Sequence, residues 1–264
     1  MILPLRPAIG FVQAPAPSPG PLADYQVSGE RVRLGLAGCG SIEVTRTSIF
    51  VLAPDALGYQ RTIDRLGEWA HAQFLAAQGF RVMRGAVVAR RGRAIALVGG
   101  SRCGASVLAL ILSHRGWGLV SDGLVVQDTH GFLRALDPTV TLDTEATVRM
   151  PPEVLMTHLT TGRDRVKVTT TGHPDAEIGA YVFLRVRQSL TQLEFAAVPF
   201  TSAAADALED YRISSLLPGS APPPPIVQAP CWRVARPAFS AHPEASTPPM
   251  LAALLMSSID SALK

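Results

Sequence analysis

The chain has 264 residues, of which 47% are hydrophobic and 17% charged, and its formal net charge is +3. This length and apolar content suffice for a substantial core, and we expect one large domain with a small attachment. No block of Lys or Arg stands out, which argues against a nucleic-acid-binding protein because such proteins concentrate basic residues on one face. Cys39, Cys103 and Cys231 lie far apart without CxxC spacing. Neither a disulfide framework nor a zinc site is therefore indicated, and a reducing environment fits best.

The N-terminal segment 1–24 is predicted to be Pro-rich and mobile, with folded structure beginning after residues 13–21, QAPAPSPGP. Its prolines interrupt any continuous apolar helix, which argues against a signal peptide. No later stretch approaches the roughly 20 uninterrupted apolar residues that a membrane helix requires. We therefore expect a cytoplasmic protein that makes no membrane contact.

Residues 25–79 are predicted to form a small β-sheet followed by a packing helix. Apolar residues alternate with other residues over 32–44, which indicates two or three short antiparallel strands. In the stretch 62–78, apolar residues recur at helical spacing, and Gly79 stands where the helix should end.

Residues 80–217 are predicted to form the main α/β core, with a mixed, partly parallel sheet. The apolar stretches RVMRGAVVA and RAIALV flank residues 90–92 and predict a hairpin whose second strand leads into Gly99. A buried helix is expected over 107–114. A further apolar strand over 118–126 should then complete a βαβ unit with parallel strands.

The remaining patterns are weaker. A short helix is predicted over 151–159, and a longer one over 203–217. Three strands are predicted from β-branched and apolar runs, at residues 165–171, 180–186 and 193–198. Residues 218–230 form a Pro-rich connection that holds neither helix nor central strand. Residues 231–264 are predicted to be a returning strand and a C-terminal helix.

Residues 99–106, GGSRCGAS, follow the phosphate-loop pattern GxxxxGK[ST] at Gly99, Gly104 and Ser106 but have Ala105 in place of the lysine. Such a loop binds phosphate through inward backbone amides and the positive end of the helix behind it, while its hydroxyl binds magnesium. Each charge-assisted contact contributes about 1.5–3 kcal/mol. Without the lysine, we expect weak phosphate binding and no fast phosphoryl transfer.

Three neighbouring residues have two interpretations each. Arg102 is long enough to fold back toward a phosphate and replace the lysine, or it is a solvated loop residue. Cys103 is interpreted as small apolar filler rather than a nucleophile, because no partner base is visible in the sequence. Asp122, in GLVSDGLVV, is either a magnesium ligand and catalytic base or a turn residue before a glycine.

The stretch VMRGAVVARRGRAIALVGGSRCGASVLALILSHRGWGLVSDGLVVQD, residues 82–128, resembles the HPr kinase/phosphorylase family, particularly its shorter relatives found beside peptide-maturation enzymes. Fainter similarity continues through DRVKV, AYVFLRV and CWRVARP. The resemblance implies a P-loop kinase fold related to phosphoenolpyruvate carboxykinase. It also implies ATP and Mg²⁺ as cofactors, and phosphorylation of a hydroxyl on a protein or peptide.

On this resemblance, the catalytic residue would be Asp122, and Ser106 and Asp122 would hold the metal. The nucleotide would be bound by the loop residues Gly99, Ser101, Arg102, Gly104 and Ser106.

Three polar positions depart from the family pattern: its histidine falls on Arg84, its lysine on Ala105 and its second aspartate on Gly123. Their joint replacement favours a degenerate phosphate loop, and therefore a pseudokinase. Such a protein would be non-catalytic or would bind nucleotide weakly, and it would act by binding a protein or peptide in a modification system. One alternative is an active ATP- and magnesium-dependent kinase in which Arg102 or Arg84 supplies the charge. Another is a binding module whose loop has no phosphate function.

Overall fold

Two compact units make up the chain, one from Met1–Val82 with Ile213–Pro224 and the other from Met83–Arg212 with Pro225–Lys264. The computed structural model describes residues 7–14, 24–36, 39–143, 159–161, 165–187, 189–237, 252–253 and 255–257. The division passes through the Pro-rich segment 218–230, which has neither helix nor strand, as predicted. All but the last residue of the helix predicted over 151–159 lie outside the described residues, as does most of the predicted C-terminal helix.

The first unit contains a five-stranded sheet, counted over the described residues. Its strands are β1 (Ala8–Gln13), β2 (Asp24–Ser28), β3 (Arg31–Gly35), β4 (Ser41–Val44) and β5 (Ser48–Ala53). Their order in the sheet is β1-β5-β4-β3-β2, with β1 parallel to β5 and the other pairs antiparallel. The predicted small N-terminal sheet is present. Strand β1 differs from the expectation that folded structure begins later, because its six residues contain no proline and carry apolar side chains.

Helix α1 (Ala56–Ala77) packs against β4 and β5. It begins six residues before the predicted start, because Asp55 caps it: the Asp55 carboxylate accepts a hydrogen bond from the Gly58 amide at 2.6 Å. Gly79, with a φ of 86°, follows its last turn as predicted.

The second unit is a mixed α/β structure. The strands of its larger sheet are β6 (Arg81–Arg90), β7 (Arg93–Gly99), β8 (Gly118–Ser121), β9 (Leu124–Gln127), β10 (Phe132–Leu133), β14 (Ala176–Arg187), β15 (Glu194–Val198) and β16 (Cys231–Pro237). A smaller sheet contains β11 (Thr139–Asp143), β12 (Leu159–Thr161) and β13 (Arg165–Thr169). Two described helices are α2 (Ala105–His114) and α3 (Ser202–Glu209), and residues 252–253 and 255–257 are also helical.

Parallel and antiparallel pairings coexist in the larger sheet, so the predicted mixed, partly parallel sheet is confirmed. Its order is β10-β9-β6-β7-β14-β16-β15, with β8 beside β6. The parallel pairs are β7–β14 and β14–β16, whereas β6 is antiparallel to β7 and β8. Helix α2 and the smaller sheet cover one face, and α3 covers the other. The carboxyl ends of β7, β14 and β16 therefore meet at one edge.

The predicted βαβ unit is present, since β8 runs parallel to β7 in the same sheet, but the two strands are not neighbours. Strand β8 pairs with β6 instead, so β6 separates it from β7. The chain bends at Asp122–Gly123, where Gly123 has a φ of 79°, and this bend divides the apolar stretch into two strands of four residues. The long apolar strand β14 lies on the other side of β7.

The helix predicted over 203–217 is correct only over α3. The chain leaves the helix because Arg212 forms a β-bridge with Met83 and the Tyr211 carbonyl accepts from the Arg84 amide at 3.1 Å. Tertiary backbone pairing thus outweighs local helix propensity.

Gly85 and Gly92 allow a test of how closely β6 and β7 must approach. Both have positive φ. A Cβ added at Gly85 would overlap the Leu97 carbonyl, whereas a Cβ added at Gly92 would have no neighbouring atom within 4 Å. We expect Gly92→Ala to lower the free energy of unfolding by about 1 kcal/mol and Gly85→Ala by about 3 kcal/mol or more. Urea unfolding followed by circular dichroism measures both, and equal losses would contradict the close approach.

Candidate functional site

The loop 99–106 joins the end of β7 to the start of α2. Gly99 is the last residue of β7, and Gly104 is the N-cap of α2, with a φ of 99°. The Cys103 amide donates to the Gly100 carbonyl at 3.2 Å, which closes a tight turn. Arg102 has a φ of 62°, which costs a residue other than glycine on the order of 1 kcal/mol or more. Contacts from outside the loop must therefore hold this conformation.

Arg236, near the end of β16, provides such contacts. Its Nε donates to the Cys103 carbonyl at 3.2 Å and its Nη2 to the Arg102 carbonyl at 3.0 Å. The parallel register brings it there, since Val186 of β14 pairs with Arg236. A Cβ at Gly104 would lie 3.6 Å from the Arg236 Nε. A guanidinium charge thus lies beside the N-terminus of α2.

Two loop side chains face the protein interior. Cys103 is 8% exposed and Ala105, at the position of the missing lysine, is 7% exposed. A Cβ at Gly99 would come within 2.6 Å of the Cys103 Sγ, so the thiol packs directly beneath a glycine. Burial raises the pKa of the Cys103 thiol, although the Ala105 amide and the Arg236 charge act in the opposite direction. This environment agrees with the interpretation of Cys103 as apolar filler.

The start of α2 supplies backbone donors. Its first helical hydrogen bond runs from the Leu108 amide to the Gly104 carbonyl at 3.0 Å, so the amides of Ser106 and Val107 precede the helical ladder. Gly104 offers no side chain to cap them. Ser106 is half-buried in this first turn, and Ser101 is exposed in the loop. Backbone amides at this position, together with the helix dipole, stabilise an anion bound at the start of the helix.

Asp122 lies at the bend between β8 and β9. Its Oδ2 accepts a hydrogen bond from the Thr141 amide of β11 at 3.1 Å, and the residue is half-buried. Its charge raises the pKa of the Cys103 thiol slightly, in opposition to Arg236, after the larger effect of burial. Asp122 is therefore close enough to the loop for its charge to act there.

Arg84 reaches the same edge from β6. Gly85 pairs with Val98, which precedes Gly99, and the Gly85 amide donates to the Gly123 carbonyl at 3.1 Å. The first half of β6, the carboxyl end of β7 and the bend at residue 123 are thus adjacent. The Arg84 side chain is exposed.

The structure brings the residues singled out from the sequence to one edge of the sheet: Gly99, Ser101, Arg102, Gly104, Ser106 and Asp122. Sequence reasoning missed Arg236, which is 130 positions beyond Ser106 in the chain and carries no motif that marks it. Among the described residues, no three His, Cys, Asp or Glu side chains cluster as a metal-binding group. The assignment of Ser106 and Asp122 to a metal stays a prediction. Over the described part of the chain, no helix is long and apolar enough to cross a membrane.

No protein-family model and no curated protein matches the sequence. Among solved structures, the HPr(Ser) kinase/phosphatase from Coxiella burnetii is similar over 68% of this chain and 97% of that chain, at 10% sequence identity and a TM-score of 0.33.

The burial of Cys103 has a measurable consequence. Because its pKa is raised, the reactive thiolate is a smaller fraction at pH 8 than for a free cysteine. We expect iodoacetamide to modify Cys103 at least about tenfold more slowly in the folded protein than in concentrated urea. Peptide mass spectrometry measures this rate, with Cys231, whose pKa burial raises to about 11, as an internal reference. Labelling of Cys103 in the folded protein as fast as in urea would contradict a buried thiol.

Proposed function

We propose that this protein binds the phosphate groups of a nucleotide weakly at the loop 99–106 and transfers no phosphoryl group. The observation that carries the proposal is the placement of Arg236 against the carbonyls of Arg102 and Cys103, beside the N-terminus of α2. It supplies positive charge at a loop that lacks its lysine.

Binding follows from two features of the loop. The amides of Ser106 and Val107 precede the first helical hydrogen bond, where an anion satisfies them. The Arg236 guanidinium adds a full charge that the backbone alone lacks. A loop with these features and no lysine is expected to bind ATP with a dissociation constant on the order of 1 mM.

The absence of phosphoryl transfer follows from the positions that the family uses for chemistry. Ala105 is buried and uncharged where a mobile cation would follow the transferred group. Asp122 accepts a hydrogen bond from the Thr141 amide, so its Oδ2 is already engaged by the backbone. Gly123 provides no second carboxylate.

The proposal includes a protein or peptide partner. Apolar side chains are exposed on the two edge strands of the first unit, at Ile9 and Phe11 of β1 and at Tyr25 and Val27 of β2. A photo-reactive amino acid at Tyr25, compared with one at the exposed Glu68 of α1, tests this in cells. Equal cross-linking at both positions would contradict a partner at the sheet edge.

Arg236 and Arg233 form a matched pair for testing the phosphate site. Both are arginines of β16, but their side chains lie on opposite faces of the sheet because they are three residues apart. We expect Arg236→Ala to weaken ATP binding about tenfold or more, since a charge-assisted contact contributes about 1.5–3 kcal/mol, and Arg233→Ala to leave it unchanged. Isothermal titration calorimetry with ATP measures both. Equal effects would show that only overall charge matters.

Transfer of labelled phosphate from ATP separates the proposal from the active-kinase alternative. With the pure protein and candidate peptide substrates, we expect no incorporation above that of an Asp122→Ala variant. Incorporation that this substitution abolishes would overturn the non-catalytic assignment. Absence of ATP binding at millimolar concentration would favour a binding module without phosphate function.

A further inference from the structure

Arginine side chains emerge on the loop side of the sheet from separate strands. Arg236 follows Val234 by two residues in β16, and Arg84 precedes Ala86 by two in β6. Val234 and Ala86 both pack in the cluster that contains α2. Since side chains alternate along a strand, Arg84 and Arg236 lie on the same face as the loop.

Arg102 adds a third cation from within the loop itself, where it is exposed. Its backbone carbonyl accepts from Arg236 at 3.0 Å, so these two arginines are neighbours. Arg84 stands next to Gly85, whose partner Val98 leads into the loop. The three arginines thus come from β6, the loop and β16, and their backbones lie at the strand edge where α2 begins.

The carboxylate chemistry at this edge fits magnesium poorly. Asp122 is bonded to the Thr141 amide at 3.1 Å, and the next residue is Gly123, whose carbonyl accepts from the Gly85 amide at 3.1 Å. A magnesium ion in a phosphate site depends on carboxylate oxygens to offset its charge. Among the described residues singled out at this edge, Asp122 is the one carboxylate beside three arginines, and cations repel a divalent metal.

We infer that the loop binds a diphosphate or triphosphate group without Mg²⁺, with the guanidinium groups of Arg84, Arg102 and Arg236 neutralising the charge that the metal carries in metal-dependent phosphate sites. This inference rests on the proposed phosphate binding and specifies its ligand: the metal-free polyphosphate anion. Arginine suits this task because its planar fork can donate two parallel hydrogen bonds to phosphate oxygens, as Arg84 and Arg102 would do. Arg236, whose fork is bonded to the Cys103 and Arg102 carbonyls, would act through its charge.

The test is calorimetric titration of the full chain with inorganic pyrophosphate, once in EDTA and once in excess MgCl₂. We expect binding in EDTA to be at least as tight as in MgCl₂, because magnesium competes with the arginines for the anion. The affinity in EDTA should fall as the KCl concentration rises, since the attraction is electrostatic. Binding that requires magnesium would overturn the inference while leaving the proposed phosphate binding intact. No binding in either solution would overturn both.

Two substitutions test which residues supply the charge that binds pyrophosphate. Arg84→Ala should weaken pyrophosphate binding in EDTA about tenfold, and because Arg84 is exposed, this variant keeps the test valid if Arg236→Ala fails to fold.

Asp122→Asn removes a negative charge but keeps an oxygen for the Thr141 amide. It should leave binding in EDTA unchanged or tighter, whereas a loss of affinity confined to MgCl₂ would identify Asp122 as a metal ligand and contradict the inference.

Discussion

The hydrogen bonds from Arg236 to the carbonyls of Arg102 and Cys103 determine the shape of the loop. Arg102 has a left-handed conformation that is unfavourable for a residue with a side chain. A charged donor on its carbonyl offsets this cost, since hydrogen bonds to charged groups stabilise by about 1.5–3 kcal/mol. The contact exists only because β16 runs parallel to β14 in a fixed register. The pairing of β16 with β14 thus sets the backbone conformation of the loop.

A cation that arrives from a neighbouring strand differs from a lysine on the helix. The lysine's flexible stem lets its charge move with a transferred phosphoryl group, whereas Arg236 is held by two loop carbonyls. A fixed charge stabilises a bound anion and a transferring group to a similar extent. Such uniform binding raises affinity without lowering the barrier to reaction. On the proposed function, the contact that keeps the loop in shape therefore raises affinity for the anion without speeding its reaction.

Local elements were predictable from the sequence because local rules decide them. The hairpin at residues 90–92 and the helix end at Gly79 follow from turn and capping residues. The partner of β7 was not predictable in this way, since β14 begins 77 residues after β7 ends and periodicity does not encode which strands pair. Arg236 was missed for the same reason: no local pattern distinguishes an arginine in CWRVARP that reaches a distant loop.

The residues around the buried thiol show why one charge sign dominates the loop. Cys103 is neutral because burial raises its pKa, so it adds no negative charge beneath the loop. Asp122 has the Thr141 amide as a donor to its carboxylate. Among the described residues singled out at this edge, three arginines outnumber the one carboxylate, and the helix dipole adds to the same sign. The proposed attraction for phosphate oxygens and repulsion of a divalent metal would therefore arise from the whole strand edge and not from position 105 alone.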